Sequence, residues 1–157
     1  MPDWLTHSLV GWITGKTTKQ EISLLVLGSL LPDIDKLSLV FNWILNTRTE
    51  AFFLPLHTPV GAVLVACVVA LFFRSIKQAF LPLVIGIATH FVVDVIFFGV
   101  GGGVQILFPM SWETWQLDLI PLTDYDYMIT IYAIVVSILV YFLYAIFKKK
   151  GRRKIVF

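Results

Sequence analysis

The alternation of long apolar runs with short polar breaks predicts an all-α chain whose first two helices are short. The first helix is expected over 3–14, since Gly15 suits the left-handed position that follows a helix. The second helix starts at Thr17 or Thr18, because both match a capping box. It ends by Leu31, since the proline that follows disfavours helical geometry before it. Neither helix is long enough to cross a bilayer alone.

Three longer apolar segments follow, and each is expected to form a spanning helix. Thr58 as N-cap, with proline at the first helical position, predicts a helix over 58–74. The next helices are expected over 79–98 and 127–147, and the last of them carries no polar side chain beyond hydroxyls. Residues 37–45 are apolar but too few to cross, so we expect them to lie in the membrane interface.

The composition agrees with a membrane protein and excludes a soluble globule. Of the 157 residues, 58% are hydrophobic and only 14% are charged, whereas a soluble domain is about 45–50% apolar and about 25% charged. We therefore predict a multi-pass integral membrane helical bundle of four or five membrane-inserted helices, two of them short. Residues 1–147 would form a single membrane-embedded helical domain, and residues 148–157 a basic cytoplasmic tail.

The charged residues predict an orientation in the membrane. Basic residues gather at Arg74 and Lys77 and in the tail over 148–154, which the positive-inside rule places in the cytoplasm. The loop over 99–126 then faces outward, and its four acidic residues stand without one lysine or arginine. We expect a protein of the cell (inner) membrane that contacts membrane lipids and binds no nucleic acid. The single cysteine, Cys67, excludes a disulfide framework and a cysteine-based zinc site.

Polar residues within the apolar segments are expected to form one layer toward the outer side. His90 and Asp94 lie four residues apart on one helix face, and Gly86 leaves room for another backbone one turn earlier. An aspartate in such a segment costs about 3 kcal/mol or more in lipid unless it is paired, hydrated or bound to a metal. Asp33 and Asp35 lie in a helix break over 32–35. Irregular backbone of this kind is tolerated at membrane depth only where it lines a cavity.

Imidazoles and carboxylates without thiolates predict a divalent metal ion, with zinc foremost and manganese or iron as alternatives. Five residues are the expected ligands: His7, Asp33, His57, His90 and Asp94. His7 fits this layer least, since it stands about 12 Å above its cytoplasmic turn, against about 17 Å for His90, at about 1.5 Å per residue. Asp35 is expected to act as general base while the metal activates a water for attack on an ester or phosphoester.

Two other functions fit the same residues. Intramembrane histidines and aspartates also mark proton or ion pathways, although such a path needs polar groups in both halves of the membrane and the cytoplasmic half has few. The second alternative is a structural or regulatory membrane protein without hydrolase activity, in which the polar layer only holds the helices together. Flux through liposomes separates transport from hydrolysis, and in the structural case replacement of Asp94 would change stability alone.

Five segments carry these residues in a specific order. They are residues 4–11 (WLTHSLVG), 28–36 (GSLLPDIDK), His57, the H-x-x-x-D pair at 90–94, and 103–111 (GVQILFPMS). Together they resemble the YdjM-like family of membrane-bound metal-dependent hydrolases, which is also described as LexA-binding and inner-membrane-associated. The H-x-x-x-D element is similar as well to one in zinc-dependent phospholipase C and related nucleases, which favours phosphoester substrates.

One departure from the family pattern bears on the number of metal ions. The family usually shows H-R-G-x-T-H-S, of which only the second histidine is present here, as His57, while Phe53 stands at the place of the first. The resemblance therefore favours one metal, or a site without activity, over a two-metal site. With the polar layer, it implies a membrane-bound metal-dependent hydrolase of a lipid-like or phosphoester substrate, with its site near the outer side.

Overall fold

The computed structural model is built from α-helices, and it describes residues 4–96, 103–117 and 126–153. Seven α-helices lie within these residues: α1 (Trp4–Thr18), α2 (Ile22–Leu30), α3 (Leu37–Leu45), α4 (Glu50–Phe53), α5 (Pro59–Ala70), α6 (Ile76–Ile96) and α7 (Asp126–Arg153). Two 3₁₀ turns join them, Pro32–Lys36 between α2 and α3, and Leu54–His57 between α4 and α5. The prediction of an all-α chain is confirmed.

The first helix is longer than predicted. α1 runs through Gly15 to Thr18, so the prediction that Gly15 ends it is wrong. Gly15 is buried, and a Cβ there would lie only 2.9 Å from the Cγ1 atom of Ile22. Its missing side chain therefore serves the contact between α1 and α2 rather than a helix stop. Lys19 takes the left-handed conformation instead, with a φ of 59°.

The second helix begins later than predicted and ends where predicted. α2 starts at Ile22, because Thr17 and Thr18 lie in the last turn of α1, where their hydroxyls donate to carbonyl oxygens of the preceding turn. Hydroxyls bonded back in this way do not cap a new helix. α2 stops at Leu30, and the 3₁₀ turn that follows begins at Pro32.

The third predicted helix has the expected start but an earlier end. The Thr58 side chain caps α5 by accepting a hydrogen bond from the Gly61 N–H at 3.1 Å. α5 ends at Ala70 rather than Arg74, and its 12 residues measure about 18 Å at about 1.5 Å per residue. The chain therefore forms no single straight span over 58–74. α5 and the preceding segment Glu50–His57 are together long and apolar enough to form a broken span, with a bend of 85° between them.

The fourth predicted helix corresponds to α6, which starts at Ile76. α6 is the one described helix that is long and apolar enough to cross a membrane by itself, and its 21 residues correspond to about 31 Å. The last two residues of the helix predicted over 79–98 lie outside the described residues. Insertion of four or five helices, and the interfacial position of α3, stay predictions.

The last predicted helix corresponds to α7. This helix is apolar over Ile134–Phe147 and continues as far as Arg153, so the first part of the predicted basic tail is helical. Two acidic residues of the predicted outward loop, Asp118 and Asp124, lie outside the described residues. The cytoplasmic position of the tail stays a prediction.

α6 forms the centre of the molecule, with α2 and α5 packed against it. The main chains of α2 and α6 touch, because a Cβ on Gly86 would collide with the Leu25 carbonyl and lie 2.7 Å from the Ser29 nitrogen. The small residues that line α5 are fully buried, as expected for a packing surface: Ala62, Ala66 and Ala70. This close packing brings the end of α2 against the part of α6 that carries the predicted ligands.

Large apolar side chains cover the outside of the helices. Trp43 and Phe72 are 84% and 85% exposed, and described residues of α7 such as Phe142 are exposed as well. In water this much apolar surface would drive association, whereas lipid tails accept it without cost. The surface therefore agrees with the composition in indicating a membrane protein.

Candidate metal centre

Three histidines and two aspartates meet in one buried cluster at the end of the α2–α6 contact. α6 contributes His90 and Asp94, which project one turn apart from the same face. α1 contributes His7, and the two 3₁₀ turns contribute Asp33 and His57. None of the five is more than 5% exposed. The structure thus brings all five predicted ligands together.

Two of the histidine rings are held from behind by backbone carbonyls at the α2 break. The Nδ1 atom of His90 lies 2.7 Å from the carbonyl oxygen of Ser29, and that of His57 lies 3.2 Å from the carbonyl oxygen of Pro32. A carbonyl oxygen only accepts, so each Nδ1 carries the hydrogen and donates. Pro32 has no N–H to return to the last turn of α2, which leaves the Ser29 carbonyl without its 3₁₀ partner and available to His90.

The other ring nitrogens converge on one carboxylate. The Nε2 atoms of His90 and His57 lie 3.0 Å and 3.2 Å from Oδ2 of Asp94, and the Nε2 atom of His7 lies 3.4 Å from Oδ1. Because Nδ1 carries the hydrogen in His90 and His57, the Nε2 atom of each neutral ring presents a lone pair. Lone pairs facing a carboxylate repel it unless a proton or a metal ion lies between them. A histidine that donates Nδ1–H to a carbonyl and offers Nε2 is the usual arrangement of a metal ligand.

His7 belongs to this cluster as closely as the others, which corrects its predicted place as the poorest fit. Its ring stacks on that of His90 with centroids 3.8 Å apart and planes inclined by 21°. Both helices extend further toward their turns than predicted, so His7 stands about 17 Å above Thr18 and His90 about 21 Å above Ile76, at about 1.5 Å per residue. The ring contact shows that the remaining difference in height does not keep His7 out of the cluster.

Asp33 and Asp35 lie on the other side of the histidines. Oδ1 of Asp33 is 4.0 Å from Nε2 of His90 and 3.9 Å from Nδ1 of His57, and it pairs with Nζ of Lys36 at 2.8 Å. Oδ1 of Asp35 is 3.7 Å from Nδ1 of His57. The Asp35 side chain is 21% exposed, so it lies at the edge of the cluster, between the buried ligands and the exterior. Its predicted role as base stays a prediction.

The cluster fits a divalent cation by its donor atoms. Two groups of three residues, His7/His90/Asp94 and Asp33/His57/His90, each present ligand atoms within 4.8 Å of one another. Buried acceptor atoms without a hydrogen bond to the described residues include Oδ2 of Asp33, Oδ1 of Asp94 and Nε2 of His90. Such atoms are costly when buried unless a cation or water satisfies them. Nitrogen and oxygen donors without sulfur suit zinc, manganese or iron.

His90 is common to both groups and limits what they hold together. Its Nδ1 atom is committed to the Ser29 carbonyl, so Nε2 is the only ring nitrogen that it offers. One lone pair binds one cation. The two groups therefore cannot bind two ions that both use His90. They are either alternative sites for one ion or parts of a single set of ligands.

Phe53, which stands where the family pattern leads us to expect the first histidine, supplies no ligand and lies among other aromatic rings. Phe53 stacks on Phe41 with ring centroids 5.5 Å apart, and Phe52 packs edge-on against Phe53. This aromatic cluster joins α3 to α4. At this position the chain thus has apolar packing and no metal donor.

Sequence reasoning missed the two carbonyls that hold the rings, and also Lys36 as the partner of Asp33. Main-chain groups carry no residue code, so only an indirect signal was available. That signal is Pro32, since a proline after a helix removes the N–H that the preceding carbonyls would otherwise receive. Lys36 follows Asp33 by three residues, the spacing at which side chains meet on one side of a helical turn.

Comparison with known proteins finds one family. A family model described as YdjM inner membrane protein matches residues 3–156, which is nearly the whole chain. No curated protein and no solved structure matches the chain significantly.

Proposed function

Since the chain belongs to the YdjM inner membrane protein family, we propose that it is a membrane-bound metal-dependent hydrolase of a lipid-like or phosphoester substrate. One observation carries the proposal. The Nε2 atoms of His7, His57 and His90 all point at the Asp94 carboxylate from within 3.4 Å, in a deeply buried cluster. A positive charge among these donors stabilises the arrangement, and a divalent metal ion bound by all of them would supply it.

The residues have distinct roles in the proposed site. The three Nε2 atoms and Asp94 would hold the ion, with Asp33 completing the set from the second group. The Ser29 and Pro32 carbonyls keep the rings turned toward it. When bound, a divalent ion supplies Lewis-acid activation of water and of a substrate oxygen. Zinc is the first candidate by donor type, and manganese or iron are alternatives.

Asp35 is the proposed general base. Its carboxylate is the most exposed of the three in the cluster, with 21% of the side chain accessible, so a water molecule can reach it. Asp35 contacts the Nδ1 side of the His57 ring, whereas Asp94 contacts the Nε2 side. Asp35 is therefore next to the proposed ligands without being one of them. A carboxylate at this edge can take a proton from a water molecule and return it to the leaving group.

Elemental analysis of detergent-purified protein tests the metal part of the proposal. We expect a near-stoichiometric divalent ion in the wild type and in Cys67→Ala, whose exposed thiol lies outside the cluster. Asp94→Ala and His90→Ala should lose the ion while retaining the helical circular dichroism of the wild type. Wild-type protein that holds no metal, and that takes up none after chelator treatment and reloading, would refute the site.

A substrate screen tests the hydrolase part separately. Metal-loaded protein should hydrolyse at least one of a phospholipid, a polyprenyl phosphate or a generic phosphoester. Metal binding without any of these activities would leave the site standing and remove the substrate from the proposal.

A structural role is the second candidate, because the cluster also ties helices together. His7 links α1 to Asp94 on α6, and His90 links α6 to the end of α2. In that case Asp94→Ala would lower the thermal unfolding midpoint of a protein that never contained metal. Transport is less well supported, since the described side chains buried toward the opposite end of α6 are apolar: Leu25, Ala66, Ala70, Ala79 and Leu83.

A further inference from the structure

The cluster is closed on most sides and more open at one edge. Its five proposed ligands are each at most 5% exposed. The side chains of Asp35 and Lys36 are 21% and 29% exposed. Both belong to the 3₁₀ turn Pro32–Lys36. This turn is therefore an accessible approach to the ligands among the described residues.

A positive charge stands at the same edge. Nζ of Lys36 lies 2.8 Å from Oδ1 of Asp33, and that oxygen lies 4.0 Å from Nε2 of His90. Among the described lysines and arginines, Lys36 is the only one in an ion pair with an acidic side chain. The ion pair holds the ammonium beside the ligands in one place, where an unpaired lysine would extend outward. An ammonium has three N–H donors, and one contact with Asp33 leaves two for another acceptor.

We propose that Lys36 binds a negatively charged oxygen of the substrate, so that the site takes a phosphate monoester or diester. The inference rests on the proposed function, because it assigns the substrate class of the same site. A lysine is a compact point charge suited to a phosphate oxygen. The Asp33 carboxylate fixes its position but leaves its outer N–H groups directed away from the pair. A neutral ester offers no charge to this ammonium, whereas a phosphate group does.

The ion pair also sets the number of metal ions. In the group Asp33/His57/His90, one oxygen of Asp33 is already paired with Lys36, and the single available nitrogen of His90 is shared with the other group. This group therefore has too few donors to bind a second ion by itself. The ammonium supplies a positive charge at the place where a second ion would otherwise be needed. The site then holds one metal ion and one ammonium, between which a phosphate group can lie.

Binding of inorganic phosphate to zinc-loaded protein in detergent, measured by calorimetry, tests the proposal. Lys36→Gln should weaken phosphate binding by about tenfold to a hundredfold, the usual worth of a hydrogen bond to a charged group. Lys36→Arg should retain most of the affinity, because the charge and the ion pair with Asp33 survive. Lys77→Gln is the matched control, since it removes one positive charge from an exposed position at the start of α6.

Metal content, measured on the same samples, separates this proposal from the previous one. We expect about one zinc ion per chain in the wild type and no loss of zinc in Lys36→Gln. Unchanged phosphate affinity in a folded Lys36→Gln variant would overturn the role of Lys36 while the metal site stands. If the wild type binds no zinc, the proposed function fails, and phosphate binding by the metal-free wild type and Lys36→Gln then decides the role of Lys36 alone.

A second comparison identifies where the anion comes from. Nanodiscs that contain phosphatidic acid should compete with inorganic phosphate if the phosphate belongs to a lipid headgroup, and phosphatidylcholine nanodiscs serve as the reference. Should Lys36→Gln fail to fold, Lys36→Met and Lys36→Arg provide the same comparison with the aliphatic stem retained. Phosphate affinity that is equal in Lys36→Met and Lys36→Arg would count against the proposal.

Discussion

Each histidine ring of the cluster is oriented by a contact that does not involve Asp94. His90 and His57 donate from Nδ1 to main-chain carbonyls at 2.7 Å and 3.2 Å, and His7 stacks on His90 at 3.8 Å. Because rings fixed in this way lose little freedom when an ion binds, the cluster is preorganised for it. At the scale of single residues, the ligand that sequence reasoning ranked last, His7, should therefore matter as much as the rest.

Replacement of His7 tests this at the residue scale. His7→Ala should lower zinc affinity by at least about tenfold to a hundredfold, since even the loss of an outer partner of a metal ligand costs that much. Competition with a chelating dye in detergent measures the affinity. Ser8→Ala is the matched control, because its hydroxyl bonds only to the Trp4 carbonyl within α1. An affinity equal to that of the wild type would exclude His7 from the ligands.

At the scale of helices, the contact between α2 and α6 places Ser29 against His90. Gly28 and Gly86 make it possible, since a Cβ on either residue would collide with a carbonyl of the facing helix, Leu83 or Leu25. The colliding atoms belong to main chain and cannot rotate away. The geometry of the site thus depends on two positions that carry no side chain at all.

Gly86→Ala should therefore weaken both the fold and the metal site. Alanine gains about 1 kcal/mol in helix propensity over glycine, but overpacking of a tight contact costs about 1–3 kcal/mol, and more where backbone must move. We expect a lower thermal unfolding midpoint and a lower zinc affinity, because α2 shifts away and takes the Ser29 carbonyl with it. Val92→Ala, at an exposed position of α6, is the control. A variant as stable as the wild type would contradict the account of this contact.

Helices with local end signals were predicted well, and those ended by tertiary contacts were not. The cap at Thr58 and the stop before Pro32 depend on the chain near them, and both are found. Gly15 looked like a helix stop, but its missing Cβ makes room for Ile22, a contact that no local pattern reveals. The error shortened α1 and lowered the expected position of His7. The candidate site was found from its residue types, whereas its carbonyl supports and the Lys36 ion pair needed the fold.

At the scale of the whole molecule, the distribution of charge predicts the orientation in the membrane. The basic segment over 148–154 should lie in the cytoplasm, and the loop that contains Glu113 should lie outside. The cluster would then be reached from the outer side. A lipid-like substrate of the outer leaflet could meet the edge of the site without crossing the bilayer.

Cysteine labelling in intact cells tests this orientation. In a Cys67→Ala background, which is free of cysteine, Glu113→Cys should react with a membrane-impermeant maleimide added outside. Gly151→Cys should react only after permeabilisation. Labelling of Gly151→Cys in intact cells would reverse the orientation and place the approach to the cluster on the cytoplasmic side.

The carbonyls of Ser29 and Pro32 have an evolutionary consequence. Every amino acid carries a carbonyl, so substitution at position 29 changes a side chain and leaves the group that holds His90 in place. The hydrogen bond that holds His90 therefore does not depend on which side chain stands at position 29. It is vulnerable to a change of chain length, because one residue inserted or deleted between 28 and 33 would turn both carbonyls away from their histidines. Related chains should vary in the side chains at positions 29–31 more readily than in the length of this stretch.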